Sequence, residues 1–208
     1  MYLYRYGFNV NMPQIKYKDE LEEIIDKPVF RVEDLVKRDI SRGYAKKKLH
    51  NLAERGKIKR IERGKYTALD DPIAVAPYLT QPSYLSLWTA LNIRNLTDQI
   101  PFKVQVITSR RRYKREIKFQ GTPIQFHQIK KDMMYGYEYI IWQGERRIPV
   151  AKPEKIIIDS LYLNRIPREE LSQAVKASDP ELLTQYAELS GQKKIRRETK
   201  NLLEEQVV

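Results

Sequence analysis

The spacing of apolar and polar residues predicts three short helices in the first third of the chain. Residues 17–27 place leucine and isoleucine at helical spacing with acids on the other face, and this helix ends before Pro28. A second short apolar stripe follows within residues 32–36. A third and longer helix is predicted over residues 42–55.

The third helix has clear start and stop signals. Ser41 suits its N-cap and Gly56 suits the position that ends it. One face is an apolar stripe made of Ala45, Leu49, Leu52 and Ala53. The opposite face is polar and presents Gly43, Lys47, His50, Asn51 and Glu54, with Tyr44 and Lys46 beside it. A helix with this division between two faces suits the DNA major groove.

A β-hairpin is predicted directly after this helix. Ile58 and Ile61 mark its first strand, Glu62-Arg63-Gly64 reads as a tight turn, and residues 66–68 form the return strand. Three helices followed by a hairpin are typical of a winged helix-turn-helix.

The positive charge of the chain is concentrated in this same region. The 208 residues carry a net charge of +12, and residues 37–65 contain 12 lysines and arginines against three acids. Such a concentration favours an acidic partner, and nucleic acid fits better than a membrane because large apolar residues do not alternate with the basic ones.

The predicted DNA contacts lie on the third helix and the hairpin. They are Ser41, Arg42, Tyr44, Lys46, Lys47, His50, Asn51, Lys57, Lys59, Arg60, Arg63 and Lys65. Three other interpretations stay open. The charges can be an ordinary solvated face, His50 and Tyr44 can be packing residues, and some winged helices bind protein or RNA instead of DNA.

The rest of the chain predicts an α+β domain. Residues 83–94 read as a buried helix, and residues 102–108 alternate as a strand. Further strands at 117–119, 123–129, 137–142 and 147–150 predict a small, mostly antiparallel sheet of four or five strands. Helices follow at about 153–162, 168–177, 179–190 and 192–205.

These elements predict two domains and a short extension. Residues 12–71 form the winged helix-turn-helix, and residues 72–208 form the α+β domain, with an effector or dimerisation role. Residues 1–11 are an N-terminal arm, a dimer strand or an extension from an upstream start.

A second basic cluster lies in the predicted C-terminal domain. It consists of Arg110, Arg111, Arg112, Lys114 and Arg115. It is either a solvated hairpin tip or a second DNA contact that clamps phosphates beside the winged helix.

Two segments resemble the AbiEi family of antitoxins, from the type IV AbiE toxin–antitoxin systems. One is the hairpin segment from Gly56 to Tyr66, GKIKRIERGKY, and the other is the strand-to-helix segment from Val150 to Asp159, VAKPEKIIID. The two segments occur in the expected order, with the predicted helix and strand of the C-terminal domain between them.

The resemblance implies a sequence-specific DNA-binding transcriptional regulator. Such a protein would bind inverted repeats in its own promoter, as a monomer or homodimer, and would act as an autorepressing antitoxin. Its partner would be a nucleotidyltransferase-type toxin that it counters without a stable complex. The alternatives are a stand-alone regulator without a toxin, and an RNA-binding accessory protein.

The sequence offers no set of residues suited to catalysis. There is no cysteine, and the two histidines, His50 and His127, stand far apart. No phosphate-binding loop or dinucleotide fingerprint occurs, and Glu154 and Asp159 are predicted to be structural. We therefore expect a protein that is not an enzyme and that has no cofactor and no metal site. No apolar run is long enough to span a bilayer, and a cytoplasmic location is expected.

Overall fold

The computed structural model describes residues 17–205, and the chain divides into two compact units between Ala68 and Leu69. The sequence predicted a boundary after residue 71. The predicted N-terminal arm, residues 1–11, lies outside the described residues.

Between residues 17 and 68, the N-terminal unit contains three helices and a small sheet. Its elements are α1 (Lys18–Ile25), β1 (Phe30–Arg31), α2 (Val32–Val36), α3 (Arg42–Glu54), β2 (Lys59–Glu62) and β3 (Lys65–Thr67). The sheet has the order β1-β3-β2 with antiparallel pairings, so the short strand before α2 adds to the hairpin formed by β2 and β3.

One hydrophobic core holds these elements together. Ile24, Phe30, Leu35, Leu49 and Ile58 are almost fully buried within it. The Phe30 ring stacks on Tyr66, its register partner on β3, with 6.3 Å between ring centroids. The hairpin is thereby joined to the helices through packed side chains as well as through the chain itself.

The ends of α3 are those that the sequence predicts. The Ser41 hydroxyl accepts a bond from the backbone N–H of Tyr44 at 3.4 Å. At the other end Gly56 has a φ of +66°, its N–H bonds to the Ala53 carbonyl, and the Lys57 N–H bonds to the Leu52 carbonyl. This is a Schellman ending, which places a glycine where a left-handed backbone is required.

The C-terminal unit contains a sheet with helices before, within and after it. Its elements are α4 (Pro72–Val75), β4 (Ser83–Leu85), α5 (Leu87–Ile93), β5 (Val104–Thr108), β6 (Glu116–Phe119), β7 (Thr122–Gln128), β8 (Tyr137–Trp142), β9 (Arg146–Ala151), α6 (Pro153–Leu163), α7 (Ser172–Lys176), α8 (Pro180–Leu189) and α9 (Lys193–Glu204).

The sheet of this unit is larger and more mixed than predicted. Among the residues described between 69 and 205, six strands lie in the order β6-β7-β5-β4-β9-β8. The pairs β4–β9 and β5–β7 are parallel, whereas β4–β5, β6–β7 and β8–β9 are antiparallel. The α+β class and the mostly antiparallel pairing are confirmed, and the predicted number of strands was too low.

The missing strand is β4, which the sequence assigned to a helix over residues 83–94. The helix begins only at Leu87, and Ser83–Leu85 forms an inner strand between β5 and β9. All three residues of β4 are buried. A strand that is buried on both faces shows no alternation, so its pattern resembles the buried helix that follows it.

The first helix after the sheet, α6, contains a cluster of buried charged side chains. Asp159 and Lys155 are both fully buried and form an ion pair at 2.8 Å. The Asp159 carboxylate also accepts bonds from the Tyr84 hydroxyl at 3.0 Å and the Ser86 hydroxyl at 2.8 Å. Glu154, the residue before Lys155, accepts a hydrogen bond from the Asp179 backbone N–H at 2.8 Å. Asp159 therefore joins α6 to β4, and Glu154 joins α6 to the start of α8.

Candidate nucleic-acid interface

The outer face of α3 is polar and exposed along its whole length. The apolar stripe of the helix packs into the core, with Ala45, Leu49 and Leu52 buried and Ala53 partly buried. The residues predicted on the opposite face are all exposed: Gly43, Tyr44, Lys46, Lys47, His50, Asn51 and Glu54. The helix therefore offers a continuous row of donors and acceptors to a partner.

The hairpin adds a second set of basic side chains next in the chain. Arg60 and Arg63 are exposed, Lys57 is exposed just before β2, and Lys59 is partly buried. Gly64 has a φ of +74°, as the tight turn between the strands requires. A register shift between Arg60 and Glu62 interrupts the alternation of the first strand beside the turn.

Five of the predicted contacts are exposed cations that form no ion pair with a described acid. Within the described part of the chain, Lys46, Lys47, Lys57, Arg60 and Arg63 form no ion pair. Their charge is therefore available to an anionic partner.

Two other predicted contacts are neutralised by acids of the same unit. Arg42 lies 3.0 Å from Glu33 on α2. The Lys65 ammonium pairs with Glu62, its partner across the hairpin, and the two side chains are only 16% and 20% exposed. Lys65 is therefore mostly covered, unlike the exposed cation that a predicted DNA contact requires, because the hairpin register places the two opposite charges together.

Charge pairing also fixes the surface around α2. Arg38 donates to Glu23 on α1 at 2.7 Å, and this hydrogen bond lowers the pKa of the Glu23 carboxyl. The pKa of Glu33 is lowered mainly by a backbone hydrogen bond and then by Arg42. Both acids are thus held in the charged form that keeps these arginines in place.

The two aromatic candidates on α3 have different surroundings. Tyr44 is 38% exposed, and its ring lies edge-on to Tyr17 with 5.9 Å between centroids, so it covers part of the unit and also reaches the surface. His50 is exposed, which removes the interpretation that it is a packing residue. Ser41 caps the helix through its hydroxyl.

The structure adds Arg31 to the candidate contacts of this interface, and the sequence did not indicate this residue. It lies on β1, is exposed, and faces Lys65 in the register of the small sheet. Its position beside the hairpin follows from the pairing of β1 with β3, and a two-residue strand gives no recognisable pattern in the sequence.

The second basic cluster, in the C-terminal unit, divides into two kinds of residue. Arg111, Lys114 and Arg115 are exposed in the loop between β5 and β6. Arg110 is also exposed, and its Nε donates to the Gln81 carbonyl at 3.3 Å.

Arg112 differs from the other four residues of the cluster. Its guanidinium carbon lies 3.9 Å from the centroid of the Phe126 ring, and its Nη1 donates to Thr80 at 3.0 Å. The sequence grouped it with the outward charges, but it packs against the sheet.

The N-terminal unit thus defines a class: a helix-turn-helix-like unit extended by a β-hairpin. A comparison with family models gives a more specific result, since residues 19–68 match the family described as "Transcriptional regulator, AbiEi antitoxin". The resemblance predicted from the sequence is confirmed over these residues, and the match indicates a transcriptional regulator or antitoxin. The strand-to-helix segment from Val150 to Asp159 lies outside the matched range.

A solved structure supports the fold over a longer range. The crystal structure of the RV2827C protein from Mycobacterium tuberculosis is similar with a TM-score of 0.55 and 15% identity, over 85% of this chain and 71% of that one. At this identity the similarity concerns the fold alone. No curated protein matches the sequence.

The described residues contain neither a helix that could span a membrane nor a cluster that could hold a metal ion. Between residues 17 and 205, each helix is too short or too polar to cross a lipid bilayer. In the same range, histidine, aspartate and glutamate side chains nowhere gather in groups of three or more that could hold a metal ion.

Proposed function

We propose that this protein is a sequence-specific DNA-binding transcriptional regulator that represses its own promoter as the antitoxin of a type IV toxin–antitoxin pair. The observation that carries the proposal is the arrangement of α3 and the hairpin. The buried stripe of α3 anchors the helix, and five cations without acidic partners among the described residues lie on its outer face and on the hairpin segment that follows.

The chemistry of this surface suits duplex DNA. The outer face of α3 would enter the major groove, where Asn51, His50 and Lys47 can read base edges. The hairpin would lie on flanking phosphates through Arg60 and Arg63. Each phosphate contact releases counterions, so binding should weaken steeply as salt concentration rises.

The wider features of the proposal come from the resemblance to the AbiEi family. The operator would be an inverted repeat, bound by a monomer or homodimer, and the toxin would be a nucleotidyltransferase-type protein countered without a stable complex. The protein would act in the cytoplasm as a binding protein without catalysis. The match to a family described as a transcriptional regulator and antitoxin supports this proposal.

Charge reversal on α3 and the hairpin tests the proposal directly. Fluorescence anisotropy with the protein's own promoter DNA should show that Lys47→Glu and Arg63→Glu each weaken binding at least tenfold. Lys27→Glu makes the same change of charge at an exposed lysine outside α3 and the hairpin, and should change affinity less than twofold. Undiminished binding by both reversed variants, with folding intact, would refute the proposal.

An RNA competitor separates DNA from RNA binding. RNA recognition usually depends on exposed aromatic rings that stack on bases. In the N-terminal unit, Tyr44 is the exposed large aromatic side chain among the described residues, and it packs edge-on against Tyr17. Structured RNA should therefore compete weakly with promoter duplex, and stronger binding to RNA would favour the alternative.

A second contact through the C-terminal unit is part of the same proposal. Arg111→Ala and Lys114→Ala should each lower the slope of log affinity against log salt by up to about 0.9. Arg112→Ala should leave that slope unchanged, because its guanidinium packs on Phe126. If all three variants and the original protein give equal slopes, the proposed second contact is refuted.

A further inference from the structure

A cavity of about 480 Å³ lies in the C-terminal unit, between the outer strands of the sheet and the end of α6. Its walls come from the start of β6, from β7 and the residues after it, and from Tyr162, Leu163 and Arg165 at the end of α6. This volume is in the usual range of small-molecule sites.

Three cations from three different segments line this cavity. They are Arg115 before β6, Lys130 after β7 and Arg165 after α6. None of the three forms an ion pair within residues 17–205. Glu116 is the acid among the described lining residues, and Lys103 neutralises it at 2.7 Å. The cavity therefore has an uncompensated positive charge.

A buried imidazole also lines the cavity. His127 is only 7% exposed, and its Nε2 is buried without a hydrogen-bond partner among the described residues. Burial, with the nearby charges of Arg165 and Lys103, lowers the pKa of His127 to about 4, so the ring is neutral at pH 7. An unpaired buried nitrogen is costly, and a bound ligand or water would reduce that cost.

The shape and chemistry of the cavity restrict the ligand. Guanidinium groups bind tetrahedral oxyanions through paired hydrogen bonds, and two arginines and a lysine are among the residues that line the space. Tyr162 and Leu163 add a partly buried aromatic and aliphatic wall against which a ring can pack. An isolated inorganic ion would leave most of the volume and this wall unused.

From this combination we infer that the cavity is a binding site for a small phosphate ester of up to nucleotide size, with Arg115, Lys130 and Arg165 holding the phosphate and Tyr162 contacting the attached group. The site lies within the C-terminal unit, so the inference does not depend on the proposed DNA-binding function.

The two histidines of the chain make a direct binding experiment possible. NMR signals of the imidazole rings are followed in the full chain during titration with adenosine monophosphate, and separately with inorganic phosphate. Sodium chloride at the same ionic strength is the control. The His127 signals should move to saturation with the nucleotide, and at least fivefold higher concentrations of inorganic phosphate should be needed.

His50 provides the internal reference, because it is exposed on α3 in the other unit. The His50 signals should move no further with nucleotide or inorganic phosphate than they do in the sodium chloride control. Equal saturation at both histidines, or no movement of His127 beyond that in chloride, would overturn the inference.

Matched variants test the assigned residues. Arg165→Gln and Lys130→Gln should each weaken nucleotide binding at least fivefold. Lys118→Gln removes the same charge from exposed β6 outside the cavity and should have less than a twofold effect. Unchanged binding by both cavity variants would refute the assignment, and thermal unfolding of each variant checks that the unit is folded.

A parallel experiment with promoter DNA shows whether the bound phosphate belongs to a free ligand or to a nucleic-acid backbone. If the site binds a free ester, promoter duplex leaves the nucleotide-induced shift of His127 in place, and Arg165→Gln leaves DNA affinity unchanged. If duplex displaces the nucleotide and Arg165→Gln weakens DNA binding at least fivefold, the cavity holds backbone phosphates and the small-ligand inference is wrong.

Discussion

The ammonium group of Lys155 lies 2.8 Å from the carboxylate of Asp159, one helical turn further along α6, and neither side chain is exposed to solvent. The Lys155 ammonium also lies 4.5 Å from the centroid of the Tyr135 ring. Burial and the nearby Asp159 carboxylate raise the pKa of Tyr84 well above its usual value, so its hydroxyl stays protonated and donates to Asp159. The buried charges are thus surrounded by an aromatic face and hydroxyl donors.

This pair should stabilise the C-terminal unit only when both charges are present. Asp159→Asn leaves the Lys155 charge unpaired in the core and should lower the free energy of unfolding by about 3–5 kcal/mol. Adding Lys155→Met removes the stranded charge while Asn still accepts from Tyr84 and Ser86. The double variant should lie within about 1–2 kcal/mol of the original protein.

Urea unfolding followed by tryptophan fluorescence measures this effect. Both tryptophans, Trp88 and Trp142, belong to the C-terminal unit, so their fluorescence reports on that unit. If the double variant is as unstable as Asp159→Asn, the loss does not come from an unpaired charge.

The sequence predicted the local structure of the N-terminal unit better than that of the C-terminal unit. Ser41 and Gly56 define α3 through short-range chemistry, and both act as predicted. The strand Ser83–Leu85 is defined by its neighbours β5 and β9, which are distant in sequence. Its apolar run therefore could not be distinguished from the helix that follows it.

At the candidate interface, the sequence alone likewise could not predict which side chains pair with each other. The sequence located the basic residues of the hairpin, but only the strand register shows that Lys65 pairs with Glu62 while Arg63 does not. Counting charges in a segment therefore overestimates the number of cations available to DNA.

The hairpin pairing leads to a test with two neutral substitutions. Arg63→Gln should weaken promoter binding several-fold and lower the salt slope by about 0.9, because it removes one contact to phosphate. Lys65→Gln should change the slope much less, because Glu62 already neutralises this ammonium. Anisotropy titrations at four or more salt concentrations provide both slopes.

A larger loss of slope for Lys65→Gln than for Arg63→Gln would contradict this assignment. It would mean that the pair with Glu62 opens when DNA binds. Thermal unfolding of both variants checks that neither result comes from loss of the fold.

His127 should make the stability of the C-terminal unit depend on pH between about 6.5 and 4. Its pKa is lowered to about 4 in the folded chain, mainly by burial and then by Arg165 and Lys103, from an ordinary value of 6.5. The unfolded chain therefore takes up a proton first as the pH falls. The stability due to neutral His127 is fully present above about pH 6.5 and is lost as the pH falls toward 4.

The expected loss is about 1–2 kcal/mol, after allowance for solvent in the adjoining cavity. Urea unfolding at pH 7 and pH 4.5, followed by tryptophan fluorescence, should show this loss in the original protein and a smaller one in His127→Gln. Carboxylates titrate alike in both proteins, so the difference between them isolates the histidine. Identical pH dependence in the two proteins would rule out the lowered pKa.

Gly136 and Gly144 allow a comparison of two glycines that share a backbone conformation but differ in their surroundings. Their φ angles are +72° and +77°, so alanine is strained at either position. A Cβ on Gly136 would lie 2.5 Å from Cε2 of Tyr186 and 3.0 Å from Cβ of Lys155, whereas one on Gly144 would meet nothing within 4 Å.

Gly144→Ala should therefore cost only about 1 kcal/mol, from the backbone strain. Gly136→Ala should cost about 2–4 kcal/mol, because overlap with the Tyr186 ring adds to the same strain. The double variant Gly136→Ala with Tyr186→Leu should lose less stability than the two single variants together, since the clash disappears with the ring. Strict additivity in urea unfolding would show that the contact between Gly136 and Tyr186 does not restrict residue 136, and that backbone conformation alone requires glycine there.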